Sequence, residues 1–392
     1  MKRRTVLHAA LPAALWPLLA RAAAIEADAP VRLATAWRVG AAGAGALDAD
    51  VGGRDRVGVL AVSADGTSLR ITAEVPLPTR AHGLLAMPDG GFVAVGYRPG
   101  RWLLRCDALG TPMRWWRSAD DSEPTLNGHV EASADGQHLF TTETDPTTGR
   151  GCIAVRDAQT LERVRLIDSF GIDPHHLLRA EGGTLMVANG GIVRDRRGRR
   201  MSAERMAPSL VRIDAASASL LGRWQLADAH LSIRHLAWSS SPEPLLGVAL
   251  QAEHDSAAER ATAPVLAIWN GKDGRDGKDG KDTFTLPELD ARSRAAVAGY
   301  TGDICAGPAG GFVLSAQKQG RALWWHPADA ERLTLIAELT DPCALFSSDA
   351  GRGVQIGAGR GLALWHAAKP SRMLAWPVPL APDNHAIALR GS

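Results

Sequence analysis

The sequence predicts an all-β fold, a seven-bladed β-propeller of the WD40 or YVTN-like kind. Three observations carry that expectation. Short apolar runs are separated by Gly- and Pro-rich turns, with 41 glycines and 23 prolines in 392 residues. A four-strand unit recurs, opening at His82, His129, His175, His235, Cys305 and Cys343, that is, at intervals of 47, 46, 60, 70 and 38 residues. No sustained helical periodicity is found beyond residue 30.

The second unit shows the pattern best. HGLLAMPDGGFVAVGYRPGRWLLRCDALGTPMRWW, from His82, gives a strand, a Pro-Asp-Gly-Gly turn, a strand, an Arg-Pro-Gly turn, a strand, an Ala-Leu-Gly turn and a last strand. From His129 the order repeats as HVEAS, HLFTTE, GCIAVRD and LERVRLI, and from His175 as HHLLRA, TLMVANGGI, SLVRID and LGRWQL. HLAWSS, LLGVALQ, VLAIWN and TFTLPE follow from His235, and two further units begin at Cys305 and Cys343. The unit length is that of a propeller blade. The tail DNHAIALR supplies one strand around His385, 42 residues after Cys343, and RLATAWRVG, RVGVLAVSADG and LRITAEVPLP supply three. One C-terminal strand joined to three N-terminal strands would make the seventh blade and leave no open edge.

Residues 1–24 read as a separate export signal. They combine Lys2, Arg3 and Arg4, an apolar stretch interrupted by Pro12 and Pro17, and small residues Ala22 to Ala24. The Arg3-Arg4-Thr5-Val6-Leu7 arrangement is of the twin-arginine type, so a periplasmic location and one propeller domain over 25–392 are expected. Those 24 residues hold four of the 44 basic side chains and none of the 42 acidic ones, which leaves the mature chain at net −2. Neither a nucleic-acid partner nor a membrane span after signal removal is expected, and the chain is expected to be a monomer. The run 270–282, NGKDGRDGKDGKD, is expected to be a flexible loop insertion, and the basic run 192–208 another loop. Four cysteines without a C-x-x-C exclude a redox motif, and a disulfide between Cys305 and Cys343 stays open as an alternative.

The first strand of a propeller blade lines the central tunnel, so the imidazoles and thiols that open the units should meet near one mouth. His82, His129, His175, His235 and His385 are therefore candidate ligands for iron or another transition metal, which takes three or four such donors. Gly128-His129 with Ser133-Ala134-Asp135-Gly136 and Arg156-Asp157 also fits a structural role, in which the histidine bonds serine and aspartate within its own blade. Polar residues at second-strand ends extend the candidate ligand site. Glu143 and Asn189 would orient the imidazoles of His129 and His175. Gln251 follows His235 by sixteen residues, and Arg234 adds a fixed positive charge for a carboxylate or phosphate. Motifs such as G-x-S-x-G, H-E-x-x-H and the phosphate loop are missing, so no catalytic residue is assigned. Twelve tryptophans, Trp102, Trp115, Trp116, Trp324 and Trp325 among them, are expected to pack between blades.

GHVEASADGQHLFTTETD, DPHHLL with VANGGI, MAPSLVRID and LSIRHLAW resemble an uncharacterised bacterial family of exported seven-bladed propellers. The resemblance implies a periplasmic role linked to iron, without an assigned activity, because members are frequently encoded beside imelysin-type iron-uptake proteins and a di-haem oxidoreductase. A non-enzymatic binding propeller for metal or iron handling is the first expectation. A docking scaffold for such an iron-uptake or redox partner is one alternative, and a lactonase-like hydrolase using Glu143 is another. The chain departs from the family pattern at His176, where an acidic residue is usual, and in its Gly-Lys-Asp loop.

Overall fold

A computed structural model describes residues 32–40, 53–195, 199–201, 203–241, 243–271, 284–348 and 351–389. The signal segment 1–24 and most of the Gly-Lys-Asp stretch lie outside them. Among the described residues twenty-eight strands, β1 to β28, form seven four-stranded antiparallel sheets, six of them from strands consecutive in the chain. This is a seven-bladed propeller. One sheet runs β28 (Leu380–Leu389), β1 (Arg32–Val39), β2 (Asp55–Val62), β3 (Leu69–Pro76). The other innermost strands are β4 (Ala81–Ala86), β8 (Thr125–Ala132), β12 (Pro174–Ala180), β16 (Leu231–Trp238), β20 (Asp303–Ala306) and β24 (Ala344–Ser348). Each touches the next around the axis, with β28 between β24 and β4.

Local chemistry explains the hairpins. Gly90 and Gly136 adopt φ of 83° and 70° at the tips of Asp-Gly turns, a left-handed conformation that costs glycine nothing. In the second of these turns Asp135 accepts from the Gln137 amide while Ser133 Oγ bonds Asp135 and receives the His138 amide.

The apolar core is divided rather than central. Seven clusters of buried side chains each lie between two adjacent blades. One example joins Ala34, Val57 and Val59 of the first sheet to Phe92, Trp102 and Leu104 of the next, and the series returns to Trp37 and Leu60 packed on Phe346 and Leu374. Tryptophans are large enough to fill these slabs: Trp102, Trp116, Trp324 and Trp325 are all buried in them. Outermost strands have one face for packing and one for water, so in β3 burial alternates along the strand.

A buried ion pair braces one blade. The Glu143 and Arg156 side chains are both 0% exposed, and their 2.7 Å contact is flanked by Thr141 at 2.7 Å from the carboxylate. Arg156 also lies 4.0 Å over the Trp116 ring of the neighbouring blade. All four cysteines are free thiols, so Cys305 and Cys343 do not bridge. Burial raises the thiol pKa of both, and each sits in a different inter-blade cluster.

Candidate metal centre

Regular β-pairing would alternate side chains strictly between the two faces of a blade. Five inner strands break that alternation at a histidine. In β4 the pairing jumps from Ala81–Gly96 to Leu84–Ala94, around His82. In β8 it jumps from Leu126–Glu143 to Val130–Thr141, around His129. The same happens in β12 between Pro174 and Leu177, in β16 between Ile233 and Leu236, and in β28 between Pro382 and Ala386. β20 and β24, which carry no histidine, pair without interruption. A bulge inserts residues and re-aims a side chain; here the inserted residues turn imidazoles from five blades toward one point. Two glycines permit the close approach of β4 and β8. A Cβ on Gly83 would meet the Gly128 carbonyl oxygen at 2.3 Å, and one on Gly128 would meet His82 Cδ2 at 2.6 Å.

The rings converge. His82 lies 4.7 Å from His129 and 4.8 Å from His385 between ring centroids, and His129 lies 4.9 Å from His385 and 5.1 Å from His235. One ring nitrogen from each of His82, His129, His235 and His385 falls within 4.8 Å of all the others. Both nitrogens of His82, and Nε2 of His129 and of His385, are buried without any hydrogen-bond partner. Buried polar atoms are almost always satisfied, so unpartnered ring nitrogens gathered this closely make a candidate metal-binding site.

The protonation states suit that use. Burial holds His82, His129, His175 and His176 well below the usual imidazole range, and lowers His235 to about 3 and His385 to about 4. All six are neutral at neutral pH and present lone pairs rather than charges. A set of four neutral imidazoles fits a divalent transition ion such as zinc, copper or iron and does not suit calcium or magnesium.

Hydrogen bonds orient two of the rings. Arg98 Nη2 lies 2.5 Å from His175 Nδ1, and a guanidinium can only donate. Neutral His175 therefore carries its proton on Nε2, which lies 2.8 Å from His235 Nε2. Their planes differ by 11° with centroids 4.8 Å apart, so the two rings also lie nearly parallel. His235 in turn carries its proton on Nδ1 and donates to Asp303 Oδ1 at 3.0 Å. Asp303 is fixed by the Ile304 and Leu345 amides at 2.9 and 2.8 Å, and its second oxygen lies 3.7 Å from His385 Nδ1. Burial raises its pKa to about 6. Carboxylate–histidine pairs of this form are the usual outer support of a metal ligand.

Charged groups surround the cluster. Asp173 takes Arg98 at 2.9 Å, Arg234 at 3.0 Å and Arg194 at 3.5 Å, so three guanidinia share one carboxylate. Arg80 pairs with Asp383 at 2.7 Å and lies 4.7 Å over Tyr97, whose ring meets His82 edge-on.

Of the residues singled out in the sequence, His82, His129, His235 and His385 come together. His175 stands beside this set as a donor to His235. His129 does not serve its own Ser-Asp turn, which Ser133, Asp135 and His138 close among themselves. Glu143 is tied to Arg156 and Thr141 and Asn189 to Ser169 and Ser209, so neither orients a ring as expected, and Gln251 is bonded to the Thr301 carbonyl. Arg234 is engaged by Asp173. Cys305 and Cys343 are turned into the inter-blade core, and the position facing the imidazoles on β20 is Asp303, two residues before Cys305. Asp303, Arg98 and Asp173 were missed. The acid opening GDIC, the Arg-Pro-Gly turn and the first residue of DPHHLL are their traces in the sequence. His176 accepts the Leu236 amide at 3.0 Å and packs 4.7 Å from His129. A smaller group, Asp228, His230 and His254, lies apart from this cluster and is partly exposed.

Similarity to solved structures shows the fold alone. A chain of Kuenenia stuttgartiensis hydrazine synthase is 14% identical, with 79% of this chain and 92% of that one covered and a TM-score of 0.57. A functionally unknown protein from Desulfotomaculum acetoxidans is 9% identical, with 91% and 100% covered and a TM-score of 0.54. No curated protein sequence matches significantly. Residues 75–389, most of the chain, match the family described as "Protein of unknown function (DUF1513)", and the chain belongs to that family.

Proposed function

We propose that the chain is an exported, periplasmic binding propeller that holds a divalent transition metal at the four-imidazole centre and serves in iron or metal handling. The single observation that carries this is the set of buried ring nitrogens of His82, His129, His235 and His385, within 4.8 Å of one another, several of them with no partner in the protein. Imidazole suits iron, copper and zinc alike, and the ion present in the compartment would decide among them. The twin-arginine-type signal supports export after folding, and the family resemblance supports an iron-uptake or redox protein as partner. Binding fits the site better than hydrolysis. A lactonase-like reaction would need a free carboxylate beside the ion, whereas Glu143 is locked to Arg156 and Asp303 to His235 and two amides.

Metal content of protein purified from the periplasm tests the proposal. The wild type should carry one equivalent of a transition ion, and the His82→Ala, His129→Ala double variant should carry little. Equal metal in both, or none in the wild type after reconstitution with iron, copper and zinc salts, would overturn it.

A further inference from the structure

The hydrogen-bond order at the centre has a consequence for what else binds there. His235 Nε2 accepts from His175 Nε2 at 2.8 Å, and its lone pair is the one that a metal would take. When a metal occupies that lone pair, the His175 Nε2–H loses its acceptor. His175 cannot resolve this by becoming a ligand through Nε2, because Arg98 donates to its Nδ1 and leaves the proton on Nε2. A ring that is 4% exposed would then hold a buried donor without an acceptor, directed at the ion, which is unfavourable.

Charge points the same way. Four neutral imidazoles bring no negative charge to a divalent ion, and Asp303, behind His235 and 3.7 Å from His385, sets one carboxylate against its two charges. Close by, Arg98, Arg194 and Arg234 share the single carboxylate of Asp173, and the Nε donors of Arg98 and Arg234 are buried without partners. Resting on the metal reading above, we infer that the centre takes a small anion as an additional ligand, which accepts the His175 Nε2–H and offsets the surplus positive charge. His175 contacts the anion; Arg98 is a positioning residue that fixes the tautomer of His175. This assigns His175 a role different from that of the four ligands, and it makes the site a receptor for a metal together with an anion such as a carboxylate.

The test uses the full mature protein loaded with copper(II), with metal stoichiometry measured first and azide as the probe anion, followed by the visible spectrum. Wild type should show a saturable spectral change on azide addition. His175→Leu should keep one equivalent of copper and bind azide about 10-fold or more weakly, the scale of one hydrogen bond to a charged group. His175→Gln, whose amide can still donate, should recover much of that loss. Arg98→Met, a milder change at the edge of the cluster, should keep the copper and also weaken azide. Failure of wild type to load copper, and iron or zinc supplied in its place, would overturn the metal reading and this inference together. A loaded wild type indifferent to azide, equal azide affinity in His175→Leu, or loss of copper in His175→Leu would overturn this inference alone.

Discussion

Replacing Asp303 by asparagine isolates the support behind the imidazole cluster. Both carboxylate oxygens accept: Oδ1 from His235 Nδ1 at 3.0 Å and the Ile304 amide at 2.9 Å, Oδ2 from the Leu345 amide at 2.8 Å. An amide of the same shape has one oxygen and one NH2. If the NH2 faces Leu345, it collides with that backbone donor; if it faces His235, it meets the Ile304 amide and that ring must move its proton to Nε2 to accept. The second outcome removes the lone pair directed at the centre and sets it against the His175 Nε2–H. Either way one buried donor is left unpaired, at about 1–3 kcal/mol, and loss of the outer carboxylate is expected to weaken metal binding about 10- to 100-fold. At 1.36 kcal/mol per decade that is about 1.4–2.7 kcal/mol. The assay is competition against a chromophoric chelator at pH 7.5, with thermal unfolding of the metal-free protein run in parallel. D303N protein with wild-type metal affinity would refute the assignment of Asp303 as the group that orients His235.

Other outcomes follow from single features. Glu143→Gln leaves Arg156 buried with its charge unmatched and should cost about 3–5 kcal/mol, seen as a lower denaturation midpoint, with metal content unchanged. Gly128→Ala places a methyl 2.6 Å from His82 Cδ2 at a residue with φ of 105°, so metal affinity should fall even in protein that still folds, as chelator competition would show. Removing residues 384–392 takes away His385 and most of the pairing of β28 with β1, together with Ala386 and Leu389 from two inter-blade clusters; the melting temperature should drop sharply. The metal-free protein should lose stability on acidification. Six imidazoles with folded pKa values below the unfolded 6.5 bind fewer protons folded than unfolded, so their contribution is complete above pH 6.5 and fades as pH falls toward about 4 and below. Asp303, raised to about 6, opposes this between about pH 6 and 4, one group against six. Chemical denaturation at pH 7.5 and 5.0 would show the sign, and equal midpoints would count against buried neutral rings.

The blades were legible in the sequence because turn chemistry and strand length repeat, from Pro88-Asp89-Gly90-Gly91 to Ser133-Ala134-Asp135-Gly136, and neither depends on distant contacts. The histidines were legible as a register for the same reason. Their partners were not. Whether Glu143 would turn toward His129 or toward Arg156 depends on side-chain direction within a blade, and the bulges that decide it leave no composition signal. Cys305 was placed on the axis by its spacing, but Asp303, two residues earlier on the same face of a regular β20, holds that place, and Cys305 lies one step further along the strand in an inter-blade cluster. Arg98 comes from a loop between a second and a third strand, outside any register based on first strands.

His385 stands on the last strand of the chain, paired with the first, while the rings it meets belong to three other sheets. On the proposed reading, an ion held there would act as a rivet through the hub, tying the strand that carries His385 to three other sheets. Prying that strand away would remove one of the four donors, and a filled hub would raise the work of prying by RT ln(1 + [L]/Kd). Loading and fastening would then be coupled.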